Sequence, residues 1–176
     1  MPPKIYHSFD DEKIPDAEYF KELERVSKNR IIWGGNYFLE YLPPTPCLIT
    51  WDKGRRETNF ADCEIAWTSF KKPARIFEWK WNGMLQEDMK NKEYRLHPTQ
   101  KPVALYEWLL NRYAKPGDII LDTHVGSASS LIACRKTGHS FVGFEIDEIY
   151  YQLAKQRLDA EMAQTNIFDF LKEDNK

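Results

Sequence analysis

At 176 residues the chain is long enough for one domain with a real core, and a hydrophobic share of 42% beside a charged share of 30% is an ordinary globular balance. A formal net charge of -2 excludes a global basic field, so a nucleic-acid partner must be attracted by a local patch. Cys47, Cys63 and Cys134 form no C-x-x-C pair and are odd in number, which excludes a disulfide frame or a zinc site and makes them core thiols of a reducing compartment. The start, Met1-Pro2-Pro3-Lys4, runs into polar sequence without a signal peptide, and no apolar run is long enough for a membrane. The expectation is a cytoplasmic protein with no membrane partner and no metal.

In chain order, Pro15-Asp16 opens a helix from Ala17 to Ser27, with Phe20, Leu23 and Val26 on one face. Strands are predicted at Arg30 to Trp33, closed by Gly34-Gly35, and at Cys47 to Trp51 after a proline-rich break. Asp52 to Arg56 reads as a basic turn. Ile65 to Phe70 and Arg75 to Trp81 read as strands, and Asn82 to Arg95 as a polar, mobile loop. Trp33, Trp51 and Trp67 are assigned to core, with Trp79 and Trp81 on one strand face. After His97 to Pro102, the pattern is a helix over Val103 to Tyr113, a turn at Lys115 to Asp118, and a buried strand Ile119 to Asp122. A loop over Thr123 to Ser127 leads to a helix Ala128 to Thr137 with Gly138 at its C′ position. A strand Phe141 to Glu145 and a helix Glu148 to Met162 follow, with Asp147 as N-cap. Strand, helix, strand with short links implies a βαβ unit and a parallel sheet in an α/β fold.

The informative feature is a strand ending in an acid, Asp122, then a loop with Gly126 and small residues, then a helix. The next strand ends in a second acid, Glu145. Small loop residues let the backbone approach a ligand, and a helix start offers unpaired N–H groups. An acid after the following strand can accept hydrogen bonds from both ribose hydroxyls. This favours a nucleoside-like ligand, although the loop lacks the G-x-G-x-x-G of dinucleotide sites, and an ordinary βαβ turn with a glycine is the alternative.

Asp122-Thr123-His124-Val125-Gly126-Ser127-Ala128-Ser129 is similar to the D-P-F-x-G-x-G-T loop of DNA amino-methyltransferases. Gly143-Phe144-Glu145 followed by Tyr150 resembles their G-x-E-x-x-x-x-Y segment, and His97-Pro98-Thr99-Gln100-Lys101-Pro102 matches their H-P-T-Q-K-P. The resemblance extends upstream, through Ile31 to Phe38, Trp51-Asp52-Lys53 and Ala66 to Phe70. It implies a doubly wound, mostly parallel sheet of the S-adenosyl-L-methionine (SAM)-dependent methyltransferase type, lacking part of the N-terminal sheet region. One methyltransferase domain over 1–176 is expected, with a catalytic and target-recognition half at 1–96 and a SAM-binding half at 97–176. SAM is the implied cofactor. Asp122 and Gly126 would lie near its methionine moiety, Glu145 on its ribose, and Thr99 and Lys101 near its carboxylate. Thr123, His124 and Ser127 complete the implied cofactor set. Thr123-His124 replaces Pro-Phe, and Ala128 replaces the second glycine.

The family's methyl-accepting motif, D-P-P-Y, falls by position on Met1-Pro2-Pro3-Lys4, which leaves Pro2 and Pro3 as the catalytic candidates. In that motif the acid and a proline carbonyl accept the hydrogens of the target amine, and the aromatic stacks on the extruded base. Met1 and Lys4 supply neither contact. Two functions therefore stand: adenine-N6 methylation of double-stranded DNA, or a non-catalytic SAM- or DNA-binding module, such as one part of a split enzyme. A homodimer or a complementing methyltransferase chain is the protein partner of either reading. H-P-T-Q-K-P argues against a small-molecule methyltransferase. Lys53, Arg55 and Arg56, then Lys71, Lys72 and Arg75, are the candidate phosphate contacts, with solvated loop charges as the alternative.

Overall fold

The computed structural model describes residues 14–56, 58–82 and 84–163. These fall into two compact units, 14–92 and 93–163.

The unit 14–92 opens with α1 (Ala17–Val26), capped by Asp16, whose carboxylate accepts the Tyr19 amide at 3.0 Å. Phe20 anchors it, with ring centroids 5.2 Å from both Phe38 and Tyr41. The apolar face narrows along the helix: Phe20 is buried, Leu23 half-buried and Val26 exposed. Strands β1 (Ile31–Trp33), β2 (Ile49–Asp52), β3 (Cys63–Thr68) and β4 (Arg75–Glu78) form one sheet in the order β1-β3-β2-β4. The β1–β3 and β2–β3 ladders are antiparallel, and β2–β4 is parallel. Trp51 and Trp67 are buried as expected, whereas Trp33 is only half-buried. Gly35, in a 3-10 turn, lies so close to β3 that a Cβ there would sit 2.5 Å from the Trp67 Cβ. The strand expected over Arg75 to Trp81 divides. β4 stops at Glu78, and Trp81, packed against Trp51, starts a hairpin of β5 (Trp81–Asn82) and β6 (Leu85–Gln86). Part of the stretch expected as loop from Asn82 is therefore paired strand.

The unit 93–163 contains α2 (Val103–Tyr113), β7 (Ile119–Asp122), α3 (Ser129–Thr137), β8 (Ser140–Gly143) and α4 (Glu148–Ala163). β7 and β8 pair in parallel, Ile119 opposite Ser140 and Asp122 opposite Gly143. This is the βαβ unit expected from the sequence, and α/β is the fold class. One sheet face carries Ile120 and Phe141, which pack on Val103, Leu110, Ile132, Ala133 and Cys134 from α2 and α3. Ala128, Leu131 and Ala154 form a second cluster that joins α3 to α4. α3 begins one residue later than expected because Ala128 is left-handed, at φ 62°. It ends at Gly138, also left-handed at φ 75°, where glycine carries no Cβ penalty. Asp147 caps α4 by accepting the amides of Ile149 at 2.9 Å and Tyr150 at 3.0 Å.

Candidate cofactor site

β7 ends at Asp122, and the loop after it is fastened at several points. The Asp122 carboxylate accepts the His124 amide at 2.9 Å through one oxygen and the Ser130 hydroxyl through the other. The Val125 amide donates to the Phe144 carbonyl at 3.0 Å, which ties the loop to the chain after β8. Gly143 makes this approach possible, since a Cβ there would meet Val125 Cγ2 at 2.6 Å and Leu131 Cδ1 at 2.9 Å. Its place in the motif is thus a packing requirement.

Glu145 is the central group. One carboxylate oxygen accepts the Gly126 amide at 2.8 Å, the other the Asp147 amide at 3.0 Å. An ionised carboxylate offers about four lone-pair sites. Two backbone donors therefore orient the group and leave acceptor capacity on each oxygen, which is what a vicinal diol requires. These residues fit a ribose-bearing cofactor.

His97 links three of the motifs. Its ring is buried, lies 4.2 Å from the Tyr150 ring in a T-shaped contact, and is 3.6 Å from where a Gly126 Cβ would stand. Its Nδ1 accepts the Thr99 amide at 3.3 Å and lies 3.0 Å from the Thr99 hydroxyl. Burial holds its pKa below the usual 6.5, against the opposing pull of the Glu145 charge. Gln100 secures the same segment, accepting the Leu96 amide at 2.8 Å and donating to the Tyr94 carbonyl at 3.3 Å. Lys101 is half-buried just before α2. The Thr123 hydroxyl lies 3.0 Å from Nδ1 of an exposed His124, and Ser127 is buried with its hydroxyl 3.1 Å from that of Ser129. Of the sequence-derived set, Asp122 is bonded to His124 and Glu145 to Gly126, and the His97 ring lies between Thr99 and the Gly126 loop.

Sequence reasoning missed Ser130, Glu93 and Arg157, which touch this loop or brace it, and gave no packing role to Gly143. Arg157, on α4, donates to the Ser127 carbonyl at 2.7 Å, the Ser129 hydroxyl at 2.9 Å and Glu93 at 2.7 Å. No motif marks a carboxylate and a guanidinium 64 residues apart, so only the folded chain reveals the pair.

In the unit 14–92 the basic candidates divide. Lys53 binds Glu64 at 2.6 Å, and Arg55 reaches the Trp81 carbonyl and lies over the Phe60 ring. Arg56 pairs with Asp52 at 2.9 Å and, chiefly through that hydrogen bond, holds the Asp52 carboxyl down at about 2. Lys71, Lys72 and Arg75 are exposed, with Lys72 over the Phe70 ring. A cavity of about 420 Å³ is lined by Asp52, Arg56, Glu78, Trp79, Lys80 and Glu87 among others, and includes no cofactor candidate. Pro2 and Pro3 lie outside the described residues.

The chain is thus an α/β protein built on a parallel β-loop-α-β unit with a backbone-oriented acid after its second strand. More narrowly, residues 6–156 match the family model N6_N4_Mtase, DNA methylase, and the chain belongs to that family. It is 42% identical over 83 residues to Type II methyltransferase M.HpaI of Haemophilus parainfluenzae, covering 47% of this chain and 26% of that protein. It is 40% identical over 67 residues to the DNA adenine methyltransferase YhdJ of Escherichia coli, covering 38% of this chain and 23% of YhdJ. The chain thus spans about a quarter of the length of these relatives. A crystal structure of the M1.HpyAVI-SAM complex matches with TM-score 0.57 and 26% identity over 81% of each chain.

Proposed function

We propose that this chain binds SAM through its unit 93–163 and serves adenine-N6 methylation of double-stranded DNA. The observation that carries this reading is Glu145, oriented by the Gly126 and Asp147 amides and retaining acceptor capacity on both oxygens. Glu145 would hold the ribose diol, with Asp122, Thr123, His124, Gly126 and Ser127 lining the rest. Thr99 and Lys101 would receive the carboxylate of the methionine moiety. SAM, when bound, supplies an electrophilic methyl group. This chain's own residues bind and orient, and proximity of that kind is worth several orders of magnitude in rate. The adenine assignment is supported by the similarity to YhdJ, a DNA adenine methyltransferase.

DNA is the proposed macromolecular partner. Lys71, Lys72 and Arg75 are exposed and are the stronger phosphate candidates, whereas Lys53 and Arg56 are held by the carboxylates of Glu64 and Asp52. The single domain with a catalytic half at 1–96 and a cofactor half at 97–176 belongs to the same proposal, as do Pro2 and Pro3 at the target amine. A protein partner, either a second copy or a complementing methyltransferase chain, is supported by the second face of β7 and β8. Parallel sheets are normally covered on both faces, yet Ile119, Leu121, Val142 and Phe144 are exposed there.

The test is transfer of labelled methyl from SAM to duplex DNA by the purified chain, followed by nuclease digestion and identification of the modified base. N6-methyladenine is the expected product. SAM binding without any incorporation would contradict the enzyme and favour the second reading, a non-catalytic SAM- or DNA-binding module. That reading is the alternative because the chain spans only about a quarter of the length of its curated relatives.

A further inference from the structure

The loop that carries Gly126 and Ser127 contains one residue in an unfavourable conformation. Ala128 has φ 62°, and no other non-glycine among the described residues has a positive φ. An L-residue there brings its Cβ close to the following carbonyl oxygen, a cost glycine does not meet. Such a conformation persists only where its surroundings over-determine it. The group placed to do so is Arg157. One nitrogen of its guanidinium donates to the Ser127 carbonyl, immediately before Ala128, and to the Ser129 hydroxyl, immediately after it. The other nitrogen is held by Glu93, whose second oxygen accepts the Val103 amide at the start of α2 at 2.9 Å. Both side chains are largely shielded, at 17% and 19% exposure, so the pair is weakly screened.

We infer that Arg157, fixed by Glu93, is a positioning residue that clamps the cofactor loop across left-handed Ala128 and holds Gly126 and Ser127 in a ligand-accepting arrangement. The planar guanidinium suits the task, because it grips two loop oxygens and a carboxylate at once. A lysine ammonium lacks that fork. The inference rests on the SAM reading for its ligand. The geometry makes a further demand: glycine at 128 should remove most of the need for the clamp.

The experiment has two readouts on wild type, Arg157→Gln, Arg157→Lys, Ala128→Gly and Arg157→Gln/Ala128→Gly. The first is amide hydrogen exchange of residues 124–130 without ligand, with a thermal melt of each variant as control for global stability. The second is calorimetric titration with SAM. Arg157→Gln is expected to speed exchange of the loop amides at least tenfold and to weaken SAM binding about tenfold. Arg157→Lys should recover only part of either effect, and the added Ala128→Gly should recover most of both. A purely structural role would lower the melting temperature without that specific rescue. Unchanged loop exchange in Arg157→Gln, or no rescue by Ala128→Gly, overturns the clamp. If Arg157→Gln does not fold, the double variant decides: a folded double variant with near wild-type loop protection supports the clamp, and an unfolded one overturns it. If wild type binds no SAM, the cofactor reading fails, while loop exchange in the same variants still supports or overturns the clamp.

Discussion

At the residue scale, the site depends on a few side chains whose partners are backbone amides. His97 illustrates what burial does to such a group. It accepts from Thr99 through Nδ1, so its neutral form is the one the fold uses. Its folded pKa lies below the unfolded 6.5 because charging a buried ring is costly. The stability it contributes is therefore fully present above pH 6.5 and is lost as pH falls through the lowered folded value. Thermal melts from pH 7.5 downward should show a loss that His97→Gln does not share. The thiols behave differently. Cys134 is buried, and desolvation raises it to about 11, while Cys47 is buried and Cys63 only half-buried. A thiol reagent at neutral pH should label Cys63 first and reach the other two only on unfolding.

At the scale of elements, glycines mark where chain segments touch. Gly35→Ala would force a Cβ to 2.9 Å from the Trp67 amide nitrogen, backbone that cannot swing away. The expected cost is about 1–3 kcal/mol or more of the stability of the unit 14–92, read by denaturant unfolding. Gly138→Ala meets no neighbour and pays only for its left-handed backbone, about 1 kcal/mol. These elements are legible in the sequence to different degrees. α2 and β7 fall on the residues expected, because a proline before the helix and an acid ending the strand are local signals. The true start of α3 is not legible, because Ala128 has the helix propensity of any alanine while the loop imposes a left-handed turn on it. The end of β4 is hidden too, because alternation alone does not show that Trp81 turns away to pair with Gln86.

At the scale of the whole chain, the candidate site is legible where chemistry is local in sequence. Asp122 ends β7, Gly126 lies in the loop that follows, and Glu145 stands just after β8, where it accepts the Gly126 amide. What is not legible depends on residues distant in sequence: the Glu93–Arg157 pair and the engagement of Arg55 by the Trp81 carbonyl. A run of basic residues looks alike whether its charges face water or carboxylates, so Lys53 and Arg56 cannot be separated from Lys71 and Arg75 before folding. The exposed apolar face of β7 and β8 is likewise a property of the folded chain. Val142→Lys, which charges that face without touching the core face, should reduce any self-association seen by sedimentation velocity. Unchanged association would place the contact elsewhere.

If the unit 93–163 accepts SAM, Glu145 is the residue on which binding depends. Calorimetric titration of the purified chain with SAM, with Glu145→Ala alongside and the fold of both checked by circular dichroism, tests both points most directly. Saturable binding by the wild type and a loss of at least tenfold in the folded variant are expected. A folded wild type that takes up no SAM, or a folded Glu145→Ala that binds it as tightly as the wild type, would contradict the proposal.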